Sequence, residues 1–176
     1  MNRLITGAII TIVIGGTAFT VSQANIVKHF ADDTGLTQQQ AEEYVSGIKD
    51  EDLASFDEVG SDYIDEGQQL VGNASEIDCV NYKYEWESAG LTCYTGKAQL
   101  SRIGNDEIAL GQSYIKLGSD SASKEDISKT IEFIDKFNSD FDLSIVSNIY
   151  NRSEIDEIKK TNSFNKALLK ATLESE

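Results

Sequence analysis

The chain contains no proline at all, where average usage of roughly 5% would place about nine in a sequence of this length. That runs opposite to the proline-rich loops of heat-adapted proteins. The expectation is modest thermal stability, with a melting temperature below about 80 °C. Arginine is scarce too, present only as Arg3, Arg102 and Arg152, and His29 is the single histidine. Positive charge is in short supply overall: 15 basic residues stand against 30 acidic ones, for a net charge of -15 and a pI near 4.4. Such a surface repels phosphate backbones and anionic lipid headgroups, so nucleic acid and acidic membrane surfaces are excluded as expected partners. It attracts cations, basic proteins or water.

Catalytic signatures are missing as well. The sequence has no G-x-S-x-G, no phosphate-binding Walker loop, no dinucleotide fingerprint, no H-E-x-x-H and no C-x-x-C. A Ser-His-Asp or Cys-His site would have to be built on His29. Catalysis by carboxylates alone is left without a motif behind it. The expectation is a non-enzymatic protein with no catalytic residues, no cofactor and no metal.

What is present begins at the N-terminus. Arg3 precedes an apolar run from Leu4 to Val21, and Ser22-Gln23-Ala24 follows with small residues where a signal peptidase reads them. Residues 1–24 are read as a signal peptide or an N-terminal membrane anchor, with cleavage after Ala24 favoured. The alternative is a retained span of 4–21, at the lower length limit for a transmembrane helix. Residues 25–176 are then one exported domain, in a periplasm, a lumen or outside the cell. Export gives meaning to the two cysteines. An even pair in an oxidising compartment predicts a Cys79–Cys93 disulfide. Closing a loop of about 15 residues contributes roughly 3 kcal/mol.

The stretch Ile77–Cys93, IDCVNYKYEWESAGLTC, holds that pair and the only tryptophan. Val80, Tyr82, Tyr84 and Trp86 alternate with Asn81, Lys83, Glu85 and Glu87, the period of a half-buried strand. Ser88-Ala89-Gly90 reads as a turn, predicting a hairpin of 77–87 with 91–96. The register is open, because a tight turn pairs Cys93 with Glu85 rather than with Cys79. Tyr82, Tyr84 and Trp86 are candidate stacking rings for a sugar, beside Glu85 and Glu87, although an aromatic face more often packs on the core.

Elsewhere the rhythm is helical. Asn25–Gly35 reads as an extended or loosely helical lead-in. Thr37 and Gln40 form a capping box, with Ala41, Tyr44, Val45 and Ile48 recurring at helical spacing. A second helix is expected from Asp50 or Asp52 to Gly72-Asn73. These two helices carry the candidate partner or cation face: Glu42, Glu43, Asp50, Glu51, Asp52, Asp57, Glu58, Asp62, Asp65 and Glu66. The spacing lacks the alternate-oxygen pattern of a calcium loop.

Leu110–Gly118 (LGQSYIKLG) resembles the first helix of a tetratricopeptide repeat, with leucine, glycine, tyrosine and a closing glycine at similar offsets. The resemblance covers about one repeat and implies a helical hairpin, whose second member starts at the capping box Ser123–Asp126. A strand hairpin of 100–103 with 107–110 is the alternative, so helix or strand is open for 98–117, as it is for 141–150. Ser153–Asp156 also has capping-box form and opens a C-terminal helix. That helix carries Lys159, Lys160, Lys166 and Lys170, a basic face for the acidic helices in cis or for a partner.

The fold class expected is mainly α with a small β-hairpin, helical hairpins packing around a disulfide-stapled strand pair. The function expected is that of an exported acidic protein acting through protein–protein contacts in the cell envelope or a lumenal compartment, with a basic partner. Its alternatives are a carbohydrate-binding or carbohydrate-active module on Tyr82, Tyr84 and Trp86, and a small secreted inhibitor or immunity-type protein.

Overall fold

The computed structural model describes residues 9–14, 16–48, 55–88 and 90–175. The fold is mainly helical with one two-stranded antiparallel hairpin. Strands β1 (Ile9–Ile14) and β2 (Thr17–Ser22) pair from Ile9 opposite Ser22 to Ile14 opposite Thr17, and the turn uses Gly16 at φ 70°. Ser22 then caps α1 (Gln23–Thr34), accepting from the Asn25 N–H at 3.3 Å. Gly35, at φ 69°, closes that helix on the Ala31 carbonyl, the left-handed ending that glycine favours. α2 (Gln38–Gly47) starts at the Thr37–Gln40 capping box, as its sequence predicts. The remaining elements are α3 (Phe56–Glu76), α4 (Glu85–Ser88), α5 (Cys93–Gly118), α6 (Lys124–Asp140), a 3-10 turn at Val146–Asn148, and α7 (Arg152–Glu174).

One apolar core joins both ends of the described chain. Ile12, Ile14 and Val21 of the hairpin meet Ile26, Val27 and Phe30 of α1, and these pack with Leu110, Tyr114 and Leu117 of α5, Ile134 and Phe137 of α6 and Leu169 of α7. Helix pairs run antiparallel. His29 lies 3.1 Å from Glu174, and Asp33 lies 2.8 Å from Lys166 and 3.3 Å from Lys170, which sets α1 against α7. Lys166 also binds Asp135, tying in α6. The basic residues of α7 therefore do lie in cis, but on α1 and α6 carboxylates and, through Lys159, on Asp142 at 3.6 Å. They are not on the 42–66 face that the sequence suggested.

The α3–α5 contact is the closest in the molecule. Gly60 faces Gly111 and Gly67 faces Gly104, each pair seven residues along from the other. A Cβ added to Gly67 would stand 2.5 Å from the Gly104 carbonyl oxygen, and one on Gly111 would stand 2.5 Å from that of Gly60. Only glycine permits this backbone approach. Three glycines, Gly96, Gly104 and Gly111, lie inside one unbroken 26-residue helix, where they mark helix contacts and not helix ends.

The described part of the run Leu4–Val21, read from the sequence as a leader or an anchor, is the β1–β2 hairpin, and among the described residues no helix is long and apolar enough to cross a membrane. Several expectations need correction. The small β-hairpin exists, but at 9–22 and not at the cysteines. Residues 77–87 form no strand. Asp78 takes the N–H groups of Val80 and Asn81 on one carboxylate oxygen, at 2.9 and 3.1 Å, and these are donors a ladder would need. The 91–96 partner strand is the first turn of α5, capped by Thr92. Residues 98–117 are helix, and 141–150 are turns around the 3-10 segment. The α7 cap is Asn151 with Glu154, two residues before the expected Ser153. Ser123 and Asp126 cap α6 as expected, and α5 and α6 form the helical hairpin.

Candidate functional site

The disulfide Cys79–Cys93 is formed, with its Cα atoms 5.6 Å apart, well within ordinary bridge geometry. It is compatible with an oxidising, exported compartment. It ties the loop after α3 to the first turn of α5. A small satellite core of Ala74, Ile77, Cys93 and Leu100 sits beneath it. Asp78 orders the loop above: its carboxyl is held below the usual carboxylate range by hydrogen bonds from the Asn81 side chain and the Val80 and Asn81 backbone. The Tyr84 hydroxyl accepts from the Asp78 N–H at 2.9 Å, and Lys97 donates to the Ile77 carbonyl at 2.9 Å.

The three candidate stacking rings are separated by this arrangement. Tyr84 and Trp86 stack on each other, with centroids 4.7 Å apart and planes 8° off parallel. The indole edge of Trp86 fills the space left by Gly96. Tyr82 alone stands clear, 67% exposed, with Val80 at 82% and Tyr94 at 67%. Glu87 accepts from the Tyr84 N–H at 2.8 Å, a local structural use.

The predicted acidic face divides between two helices. Glu42 and Glu43 lie on α2, which packs on α1, whereas Asp57, Glu58, Asp62, Asp65 and Glu66 lie exposed on α3, which packs on α5. Asp50, Glu51 and Asp52 lie outside the described residues. Glu58, Asp62 and Glu66 are spaced i, i+4, i+8, so like charges stack along one side of α3. Such pairs destabilise a helix by roughly 0.2–0.5 kcal/mol each. Among the described residues none of these three is in an ion pair.

The stripe ends at a cavity that the sequence reading missed. It has a volume of about 230 Å³ and is lined by Val59, Asp62, Tyr63, Glu66, Glu107, Phe137 and Ile158. Glu107 projects from α5 and is only 2% exposed. No donor of the described residues reaches its buried Oε2. The nearest carboxyl lining the same cavity is Glu66, another acceptor rather than a donor. Burial, then the charge and the hydrogen bond of Glu66, push the Glu107 carboxyl up to about 8. The neighbouring phenols report the same charge: Tyr63 and Tyr150 are both pushed well up, by burial first and then by Glu107 and Glu66.

Tyr63 cannot supply the missing donor. Its hydroxyl donates to the Asn162 Oδ1 at 2.6 Å, and Asn162 in turn donates to the Asn138 Oδ1 at 2.8 Å, a relay that joins α3, α7 and α6. The Tyr63 ring meets Phe137 edge to face, with centroids 5.8 Å apart, and these rings wall the cavity. One signal in the sequence could have found the site. Ile103, Glu107, Leu110, Tyr114 and Leu117 follow the helical spacing of a buried stripe, and Glu107 is its one charged member.

A second, more open depression of about 430 Å³ is lined by Tyr44, Ser153, Asp156, Glu157, Lys160 and Thr161. All of these but Tyr44 are exposed, and Lys160 sits among its carboxylates. Among the described residues no group of three or more His, Cys, Asp or Glu is placed to hold a metal ion. Comparison of the chain with protein families, with curated proteins and with solved structures finds no match to any of them.

Proposed function

We propose that this is an exported, non-enzymatic protein that acts by contact with a basic partner protein in the cell envelope or a lumenal compartment. The observation that carries the reading is the stripe of like charges Glu58, Asp62 and Glu66 along α3, none of them in an ion pair among the described residues. It costs the helix stability, and a cationic surface laid on it would remove that cost. Three lysines of α7 are engaged elsewhere: Lys166 and Lys170 are paired with Asp33, and Lys159 with Asp142. The disulfide supports export. Whether residues 1–24 are removed belongs to the same proposal, and cleavage after Ala24 would take Ile12, Ile14 and Val21 out of the core.

Affinity capture from the native envelope fraction, with the wild type and a Glu58→Gln/Asp62→Asn variant side by side, tests this reading. The partner is expected to be held at low salt, released as ionic strength rises, and lost with the variant. Capture that ignores both salt and the substitutions would contradict it.

A second reading, a small secreted inhibitor or immunity-type protein, is favoured by the disulfide-held loop that exposes Val80 and Tyr82 beside Tyr94. Binding through that loop would be insensitive to salt and abolished by Val80→Ser/Tyr82→Ser.

A further inference from the structure

We propose that the cavity between α3, α5, α6 and α7 is a binding site for a primary alkylammonium group, held by the carboxyls of Glu107 and Glu66. The proposal does not need the docking reading above, because a free amine fills the cavity without any protein partner.

Three observations carry it. First, two carboxyls line one cavity, the buried Oε2 of Glu107 meets no donor among the described residues, and Glu66 stands exposed, so the site is open to a cation from solvent. An ammonium has three N–H donors, enough to satisfy both carboxylates together. Second, the rest of the wall is apolar: Val59 and Ile158 for an alkyl stem, and the rings of Tyr63 and Phe137 for the charged end. A hydrated divalent ion would want about six oxygen ligands, and no cluster of three or more acidic or metal-binding side chains is present among the described residues. Third, a cavity of about 230 Å³ has room for a short alkyl stem together with its ammonium head.

The exchange balances simply. R–NH₃⁺ enters, the Glu107 proton leaves to solvent, and both carboxylates end as anions hydrogen-bonded to the ammonium. The charged and titratable groups facing Glu107 are Asp62, Tyr63 and Glu66 from α3 and Tyr150 from the turn before α7. None of them is a cation, so nothing among the described residues already neutralises the second charge. Because the pair holds a proton up to about pH 8, binding must compete with that proton. Affinity should rise about tenfold per pH unit below 8 and level off above it.

Isothermal calorimetry on the full, disulfide-bonded chain tests this, with n-butylammonium as the probe, in two buffers of different ionisation enthalpy at pH 6, 7 and 9. The expected result is saturable binding with close to one proton released at pH 6 and 7 and fewer at pH 9. Binding should weaken at least about tenfold in Glu107→Gln. Tetramethylammonium, which cannot donate, should not bind. Should Glu107→Gln fail to fold, Glu66→Gln carries the same test from the exposed side of the pair. An Nα-acetyl-lysine amide arm separates the sources: binding by both probes assigns the site to amines and to lysine side chains, and binding by butylammonium alone assigns it to free amines. No binding by either probe, binding without proton release, or equal binding by the variant overturns the proposal.

Discussion

Asp106 and Glu107 are neighbours on α5, both are buried, and each is pressed against a second carboxylate, yet their surroundings differ. Asp106 lies near Asp140, which is 1% exposed, and cations are supplied from two sides: Lys136 lies 2.7 Å from Asp106 and Arg102 lies 2.7 Å from Asp140. Burial and then Asp106 still push the Asp140 carboxyl up, to about 6, but Arg102 pulls against that rise. Among the described residues Glu107 has no such cation, its neighbour Glu66 is at the surface, and a cavity opens beside it. The first pair is an internal clamp between α5 and α6 with its charge balanced. The second is an unbalanced charge beside open space, the condition under which a buried carboxyl becomes a place for a ligand rather than a structural tie.

The largest effect expected from breaking this contrast comes from Arg102→Ala. Removing the cation leaves Asp140 buried with a second carboxylate, which should cost about 3 kcal/mol or more at pH 8. The loss should shrink at pH 5, where the pair can take up a proton. Urea denaturation at the two pH values measures this, and equal losses at both would contradict it.

Gly67→Ala comes next. A methyl group set 2.5 Å from the Gly104 carbonyl forces α3 off α5, for a cost at the upper end of roughly 1–3 kcal/mol. It should also disturb the titration of Glu107, one helical turn from Gly104, while leaving that of Asp140 on the other side of α5 unchanged.

Glu107→Gln sharpens the comparison with the opposite sign. The folded-state value of this acid is raised from 4.5 to about 8. The folded protein therefore keeps a proton that the unfolded chain releases, and wild-type stability should fall as pH rises from about 4.5 to about 8. The glutamine variant lacks that slope. It should match the wild type at pH 4 and exceed it by on the order of a few kcal/mol at pH 8, as melting curves would read. The smallest effect belongs to Asp62→Asn, beyond the first turn of α3, which relieves like-charge pairs with Glu58 and Glu66 and should stabilise by about 0.2–0.5 kcal/mol per pair, less at high salt.

Much of the helical framework was legible in the residues themselves. The Thr37–Gln40 and Ser123–Asp126 capping boxes start their helices where side-chain chemistry says they should, and the even cysteine pair is bridged. What escaped detection did so for identifiable reasons. The strand at Ile9–Ile14 is β-branched throughout, but the apolar run it sits in reads as a targeting segment whether or not it pairs, so hydropathy alone does not mark the pairing. The alternation in 77–87 was real, yet Asp78 drew the backbone donors into a turn. Glycines inside α5 resembled helix ends because their partners on α3 are not near in sequence. Glu107 passed unremarked because its unusual state arises first from burial and then from Glu66, forty-one positions earlier, on the helix that those same glycines bring against α5.

The most direct measurement is a ¹³C-carboxyl NMR titration of the side chain of Glu107 in the folded, disulfide-bonded chain. A midpoint near 8, moving downward when n-butylammonium is added, is the result expected of a carboxyl that keeps its proton through burial beside Glu66 and yields it to an incoming cation. A midpoint in the ordinary range near 4.5, unmoved by the amine, would contradict the account.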